Sequence, residues 1–161
     1  MAVEIVRVDL NDPHHAAVVV GLLDAYAHDP MGGGEGLAAH TQQTLIAALA
    51  ARVDYVGLLA QDVGEAVGLL NAFEGFSTFA AKPLLNIHDV YVDPALRGQG
   101  VGQLLLAHIE QIARARGCCK LTLEVLAGNT HAQRLYQAQG YRAYSLNDTT
   151  GQALFWQKGL D

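Results

Sequence analysis

The chain has 161 residues, 51% of them hydrophobic and 16% charged, with 16 acids against 10 bases and a formal net charge of −6. Such a composition supports a single folded domain over residues 1–161 with a sizeable core and excludes intrinsic disorder. Without a basic stripe nucleic acid is not an expected partner, and apolar stretches of about six or seven residues are too short for the roughly 20 that span a bilayer.

The N-terminus MAVEIVRVDL alternates like a strand and has no basic region followed by an apolar core, so no signal peptide is expected. The only cysteines, Cys118 and Cys119, are adjacent, which disfavours an ordinary disulfide between them. No matching Cys or His pair suggests a metal. A reducing cytoplasm is the expected compartment.

Val3 to Val8 alternates apolar and polar and predicts a strand. Asp12-Pro13 opens a helix whose Val18, Val19, Leu22, Leu23 and Tyr26 share one face, and Asp29-Pro30 stops it. PMGGGEG follows at Pro30 to Gly36, then a second helix over Thr41 to Ala51. Tyr55–Ala60 and Ala66–Phe73 read as a hairpin turning at Gly64, and Leu84–Val92 as a further strand. Gly100–Arg116 is a helix, Lys120–Leu126 a strand and Thr130–Gln139 a short helix. Tyr141–Ser145 and Ala153–Lys158 predict a closing hairpin around NDTTG, with Trp156 in the core. Hairpins require antiparallel pairing, whereas the strand–helix–strand unit from Leu84 to Leu126 requires a parallel crossover. The expected class is α/β (α+β): a mixed, mostly antiparallel sheet with helices on both faces.

RGQGVG, Arg97 to Gly102, lies where the chain leaves a strand and opens a helix. Helix N-termini carry unpaired N–H groups and partial positive charge, and together these bind phosphate. Gly98, Gly100 and Gly102 remove side chains that would hold a pyrophosphate away, and Arg97 adds a cation. A turn that merely needs glycine dihedrals requires only one glycine. A Rossmann site expects GxGxxG in a doubly wound sheet, and a Walker loop ends in Gly-Lys-Ser/Thr; neither pattern is present.

This segment, with DVYVDPALR before it and NTHAQRLYQAQGY downstream, resembles the two motifs of the GNAT superfamily of N-acetyltransferases. The element order is similar over nearly the whole chain. The resemblance implies the GNAT fold, with a splayed parallel strand pair between Leu84–Val92 and Lys120–Leu126, and acetyl-coenzyme A as cosubstrate. It places the pyrophosphate on the N–H groups of Gln99, Gly100, Val101 and Gly102, flanked by Arg97 and Gly98. Val90, Tyr91 and Val92 would then line the pantetheine arm, with a Val90 N–H toward the acetyl oxygen.

Asn129, Ala132 and Tyr136 fall at helical spacing. By resemblance, Asn129 bonds the pantetheine amide, Ala132 allows close approach, and Tyr136 protonates the leaving thiolate; a core aromatic is the plainer reading of Tyr136. The position where some relatives carry a catalytic Glu is Asn86, assigned here to the acceptor side. His88, expected to share a face with Asn86 and Val90, is one candidate base and Glu74 another, against a buried histidine and a solvated strand end. Met31, Gly32, Gly33 and Glu35 are read as a mobile acceptor loop, Glu35 facing a cationic amine, against a plain linker.

The expected activity is acetyl transfer to a primary amine, a small cationic molecule, by direct attack in a ternary complex. The alternative is an acetyl-coenzyme A-binding sensor or partner module with weak or no turnover. Many relatives dimerise through C-terminal strands, so a homodimer is a further implication.

Overall fold

The computed structural model describes residues 2–160. The chain divides into two compact units, Met1–Leu123 and Glu124–Asp161. The first holds β1 (Val3–Arg7), α1 (Pro13–His28), α2 (Ala39–Ala50), β2 (Tyr55–Asp62), β3 (Glu65–Ser77), β4 (Lys82–Val92), α3 (Val101–Ala115) and β5 (Leu121–Leu123). Short 3-10 turns occupy Pro30–Gly32 and Pro94–Leu96. The second holds α4 (Thr130–Ala138).

The five strands form one sheet in the order β1-β2-β3-β4-β5. The first three pairings are antiparallel, and β4–β5 is parallel. This is the mixed sheet expected from two hairpin connections and one helical crossover. Local chemistry explains the helix start: Asp12 accepts from the His14 N–H at 2.8 Å and Pro13 takes the first helical position of α1.

Alternation divides the sheet residues between two cores. Leu59 and Leu69 are opposite each other in β2 and β3 and pack with Val19 of α1 and Leu49 of α2. The other parity, with Leu58 paired to Leu70 and Gly68 beside Leu105, faces α3. Leu58, Leu59, Leu69, Leu70, Leu85, Leu105 and Ile109 are all fully buried. Each contributes on the order of 1.5–3 kcal/mol through removal from water. Helices thus cover both faces.

The C-terminal expectations need correction. The parallel strand predicted over Lys120–Leu126 is only Leu121–Leu123. No ladder forms over Tyr141–Ser145 and Ala153–Lys158, where a Ser145–Gln152 bridge and an Ala153 N–H to Tyr144 carbonyl bond of 2.8 Å remain. The turn chemistry was sound, because Asn147 Oδ1 accepts from the N–H groups of Thr149 and Thr150. The flanks bury no face that would fix a register: Leu146, Leu154 and Phe155 are exposed. Trp156 is likewise exposed, at 82%, and is not a core residue.

Candidate active site

The parallel ladder between β4 and β5 is three pairs long, Leu85–Leu121, Asn86–Thr122 and Ile87–Leu123. Beyond Ile87, β4 runs on to Val92 without a β5 partner. At that point the β3–β4 register also shifts: Asn71 is opposite Asp89, Ala72 opposite Ile87, and His88 is the extra residue of a β-bulge. A bulge changes which residues share a face. Val90 and Val92 pair with Leu70 and Gly68 and face α3, while Tyr91 pairs with Leu69 and Asn86 with Phe73 on the α1–α2 face. The expected sharing of one face by Asn86, His88 and Val90 is therefore wrong for Val90.

β4 leads through Pro94–Leu96 into the glycine loop. Gly98 and Gly100 have φ of +78° and +87°, the left-handed region that suits glycine. A Cβ added at Gly98 would meet no atom within 4 Å, so the loop presents open backbone. Gly100 is the N-cap of α3 and supplies no side-chain cap. The first intrahelical bond runs from the Leu104 N–H to the Gly100 carbonyl, so the N–H groups of Gly100, Val101, Gly102 and Gln103 precede any helical acceptor. The Gln99 N–H is engaged by the Leu96 carbonyl at 3.4 Å. The Arg97 side chain turns to the protein: Nε donates to the Val92 carbonyl at 3.0 Å, and Nη2 donates to Asp29 Oδ2 at 2.8 Å.

The α1–α2 face of β4 carries a polar cluster. His88 is exposed and stands edge-on to Phe73, with 4.9 Å between centroids. Asp89 lies beside it, half-buried, and accepts from Asn71 Nδ2 at 3.0 Å. Asn71 Oδ1 in turn accepts from the Tyr55 hydroxyl at 2.8 Å. Burial pushes the Asp89 carboxyl above its ordinary value, with the Asn71 bond and His88 opposing. Tyr26 of α1 is raised by burial and then by the charges of Asp89 and Asp29. Asp89 is the functional candidate that sequence reasoning missed, because only the bulge puts it opposite Asn71, on the same face as Phe73. Asn86 is on the same face, yet its amide donates to Thr122 Oγ1 at 2.7 Å. Glu74 has the opposite parity, on the α3 face, and is ion-paired to Arg116 at 2.8 Å. The structure does not bring it together with His88.

PMGGGEG is a defined turn rather than a plain linker. Asp29 Oδ1 accepts from the Met31 N–H at 3.0 Å, and the Asp29 carbonyl accepts from Gly32 and Gly34 at 2.8 and 3.1 Å. A Cβ at Gly32 would collide with the Tyr26 carbonyl, which explains that glycine, and Gly33 has φ +118°. Asp24 holds the far end by accepting from the Leu37 N–H at 2.8 Å. Glu35 is exposed and makes no hydrogen bond or ion pair among the described residues.

Within the second unit, Asn129 is the N-cap of α4, its Oδ1 accepting from the Ala132 N–H at 3.1 Å. Its carbonyl oxygen therefore caps a helix, leaving the amide nitrogen for the ligand role implied by resemblance. Tyr136 is half-buried on α4, 6.0 Å from Tyr141 between ring centroids. No cluster of three or more His, Cys, Asp or Glu suited to a metal occurs among the described residues. No helix among them is long and apolar enough to cross a membrane.

A mixed sheet with a short parallel pair at its edge and a glycine loop at the next helix define an acyltransferase-like architecture. The model of the acetyltransferase (GNAT) family matches residues 20–141, and the chain belongs to that family. Among curated relatives, thialysine N-epsilon-acetyltransferase of Bos taurus is 34% identical over 84 residues, covering 52% of this chain and 48% of that protein. Streptothricin acetyltransferase of Streptomyces lavendulae is 38% identical over 74 residues, 46% of this chain and 39% of that one. The chain spans about half the length of the curated relatives it matches. Among solved structures, an aminoglycoside acetyltransferase from an uncultured soil metagenomic sample, in complex with sisomicin, superposes with a TM-score of 0.79. It is 19% identical and the match covers 99% of this chain and 97% of that one, a likeness of fold.

Proposed function

We propose that residues 1–161 act as one acetyltransferase domain that moves an acetyl group from acetyl-coenzyme A to the amine of a small cationic molecule, by direct attack in a ternary complex. The observation that carries this reading is the stretch of β4 beyond Ile87 that has no β5 partner, followed by an uncapped, glycine-lined N-terminus of α3. The residues fit the cosubstrate: Gly98 leaves space that a Cβ would fill, and the donors of Gly100, Val101 and Gly102 suit a pyrophosphate. Gln99 borders them. Val90, Tyr91 and Val92 offer the backbone edge of β4 that has no β5 partner. When bound, acetyl-coenzyme A supplies the acetyl group as an activated thioester.

His88, exposed on the bulge, takes the proton that the ammonium of the acceptor must lose before its nitrogen can attack. Asp89 lies next to it on the same face, and its carboxylate, when ionised, draws a cationic acceptor there. Glu35, on the exposed glycine segment with Met31, Gly32 and Gly33, adds a second acid for such an acceptor. As C–S cleavage leaves a thiolate, Tyr136 donates its phenolic proton to it, and Asn129 and Ala132 belong to the same motif; these roles rest on resemblance. The relatives named for thialysine and streptothricin support an amine acceptor of cationic character.

A thiol-release screen over polyamines, amino acids, aminoglycosides and peptides tests the reading. Turnover on cationic small amines is the expected result. A screen that finds only neutral or acidic acceptors would overturn the acceptor class, and failure of coenzyme A to raise the melting temperature would overturn the reading as a whole.

A further inference from the structure

Asp29 touches both glycine clusters of the chain. Its Oδ1 accepts from the Met31 N–H at the head of the acceptor-side segment, and its Oδ2 accepts from Arg97 at the head of the phosphate loop, 68 residues away. Its backbone is equally committed, the carbonyl accepting from Gly32 and Gly34 and the N–H donating to Ala25 and Tyr26. Arg97 is held at three points: by Asp29, by the Val92 carbonyl at 3.0 Å, and over the Tyr91 ring at 5.8 Å. Tyr91 meets Tyr26 of α1 at 6.0 Å, just before that same segment. A guanidinium already neutralised by a carboxylate 2.8 Å away attracts phosphate weakly, whereas the open N–H groups of α3 need no cation to bind it.

We propose that Arg97 is a positioning residue rather than a phosphate ligand, and that with Asp29 it tethers the acceptor-side segment Met31–Glu35 to the phosphate loop. The assignment rests on the acetyltransferase reading for the names of the two sides, but the tether itself is independent of it. The consequence is that acceptor recognition, not cosubstrate affinity, depends on Arg97.

The test compares Arg97→Gln, Asp29→Asn and the double variant by coenzyme A calorimetry, steady-state kinetics and hydrogen exchange of amides 31–36. Asp29→Asn retains an oxygen that can cap Met31 while losing the charge that holds Arg97. Each single variant should raise the acceptor KM by about fivefold, the scale of a half-exposed ion pair, and speed exchange in 31–36. The coenzyme A Kd should stay within about twofold, and the double variant should be no worse than either single one. A loss of coenzyme A affinity of about tenfold or more in Arg97→Gln alone would overturn the proposal. If the wild type binds no coenzyme A, the acetyltransferase reading fails, and exchange in 31–36 still decides the tether: unchanged exchange in both variants refutes it.

Discussion

Asn86 Nδ2 donates to Thr122 Oγ1 at 2.7 Å across the middle pair of the short parallel ladder that joins β4 to β5. The bond fastens the sheet one pair before the parallel ladder ends. Thr122→Val keeps the shape and strips the hydroxyl, leaving a half-buried amide without that partner. It should cost about 1 kcal/mol and lower Tm by about 2–4 °C. A thermal scan reads this directly, and an unchanged Tm would show that the bond contributes nothing.

Asp89 predicts a pH-dependent stability. Its carboxyl is raised by burial, so the folded chain holds that proton more tightly than the unfolded one. Stability is therefore lost as pH rises from the ordinary carboxylate value, about 3.9, through the raised one, and the loss persists at neutral pH. Asp89→Asn should raise Tm at pH 7 and leave it nearly unchanged at about pH 3.5, where both forms are neutral. Equal shifts at the two pH values would count against burial as the cause.

Gly100→Ala isolates backbone strain at the glycine loop that opens α3. An added Cβ would meet only Gln103 Oε1, at 3.9 Å, so crowding is not the obstacle; the φ of +87° is. A cost of about 1 kcal/mol or more in stability is expected. The coenzyme A Kd should rise by about tenfold, read by calorimetry, since the new methyl enters the space assigned to pyrophosphate. Tight binding by this variant would move the pyrophosphate elsewhere.

Tyr136→Phe removes the proton donor assigned to the thiolate. Turnover should fall by about 10²-fold while coenzyme A affinity is unchanged. A stopped-assay kcat measured beside calorimetric binding separates the two, and an undiminished kcat would take Tyr136 out of the mechanism.

Most of the sheet was legible because its signals are local. The alternation of Val3–Arg7, the apolar runs around Gly64 and the helical stripe through Leu105 and Ile109 each state their element within a few residues. The glycine loop between β4 and α3 was legible for the same reason, since a strand exit, three glycines and a helix start are contiguous. The bulge at His88 was not, because it is a relation between β4 and β3, and no residue in IHDV announces it. That one shift exchanged Val90 for Asp89 on the α1–α2 face. Nothing in the residues around PMGGGEG announces that Asp24 and Asp29 each accept a backbone N–H, because only the folded turn brings those donors near. The closing hairpin was overread because turn chemistry at Asn147 is sufficient for a turn and insufficient for a ladder.

The bulge makes β4 a strand with two phases. Upstream of His88 its odd-numbered residues, Leu85 and Ile87, point toward α3; downstream it is the even-numbered ones, Val90 and Val92, that do so. Smoothing the bulge with the residue count kept would restore one phase along the strand by moving each later partner on by one, His88 to Asn71, Asp89 to Leu70 and Val90 to Leu69. It would turn Val90 toward the α1–α2 layer and drive the Asp89 carboxylate into the apolar layer beneath Leu105. In this chain the boundary between the apolar layer under α3 and the polar cluster of β4 is thus set by one unpaired residue, and His88 is that residue.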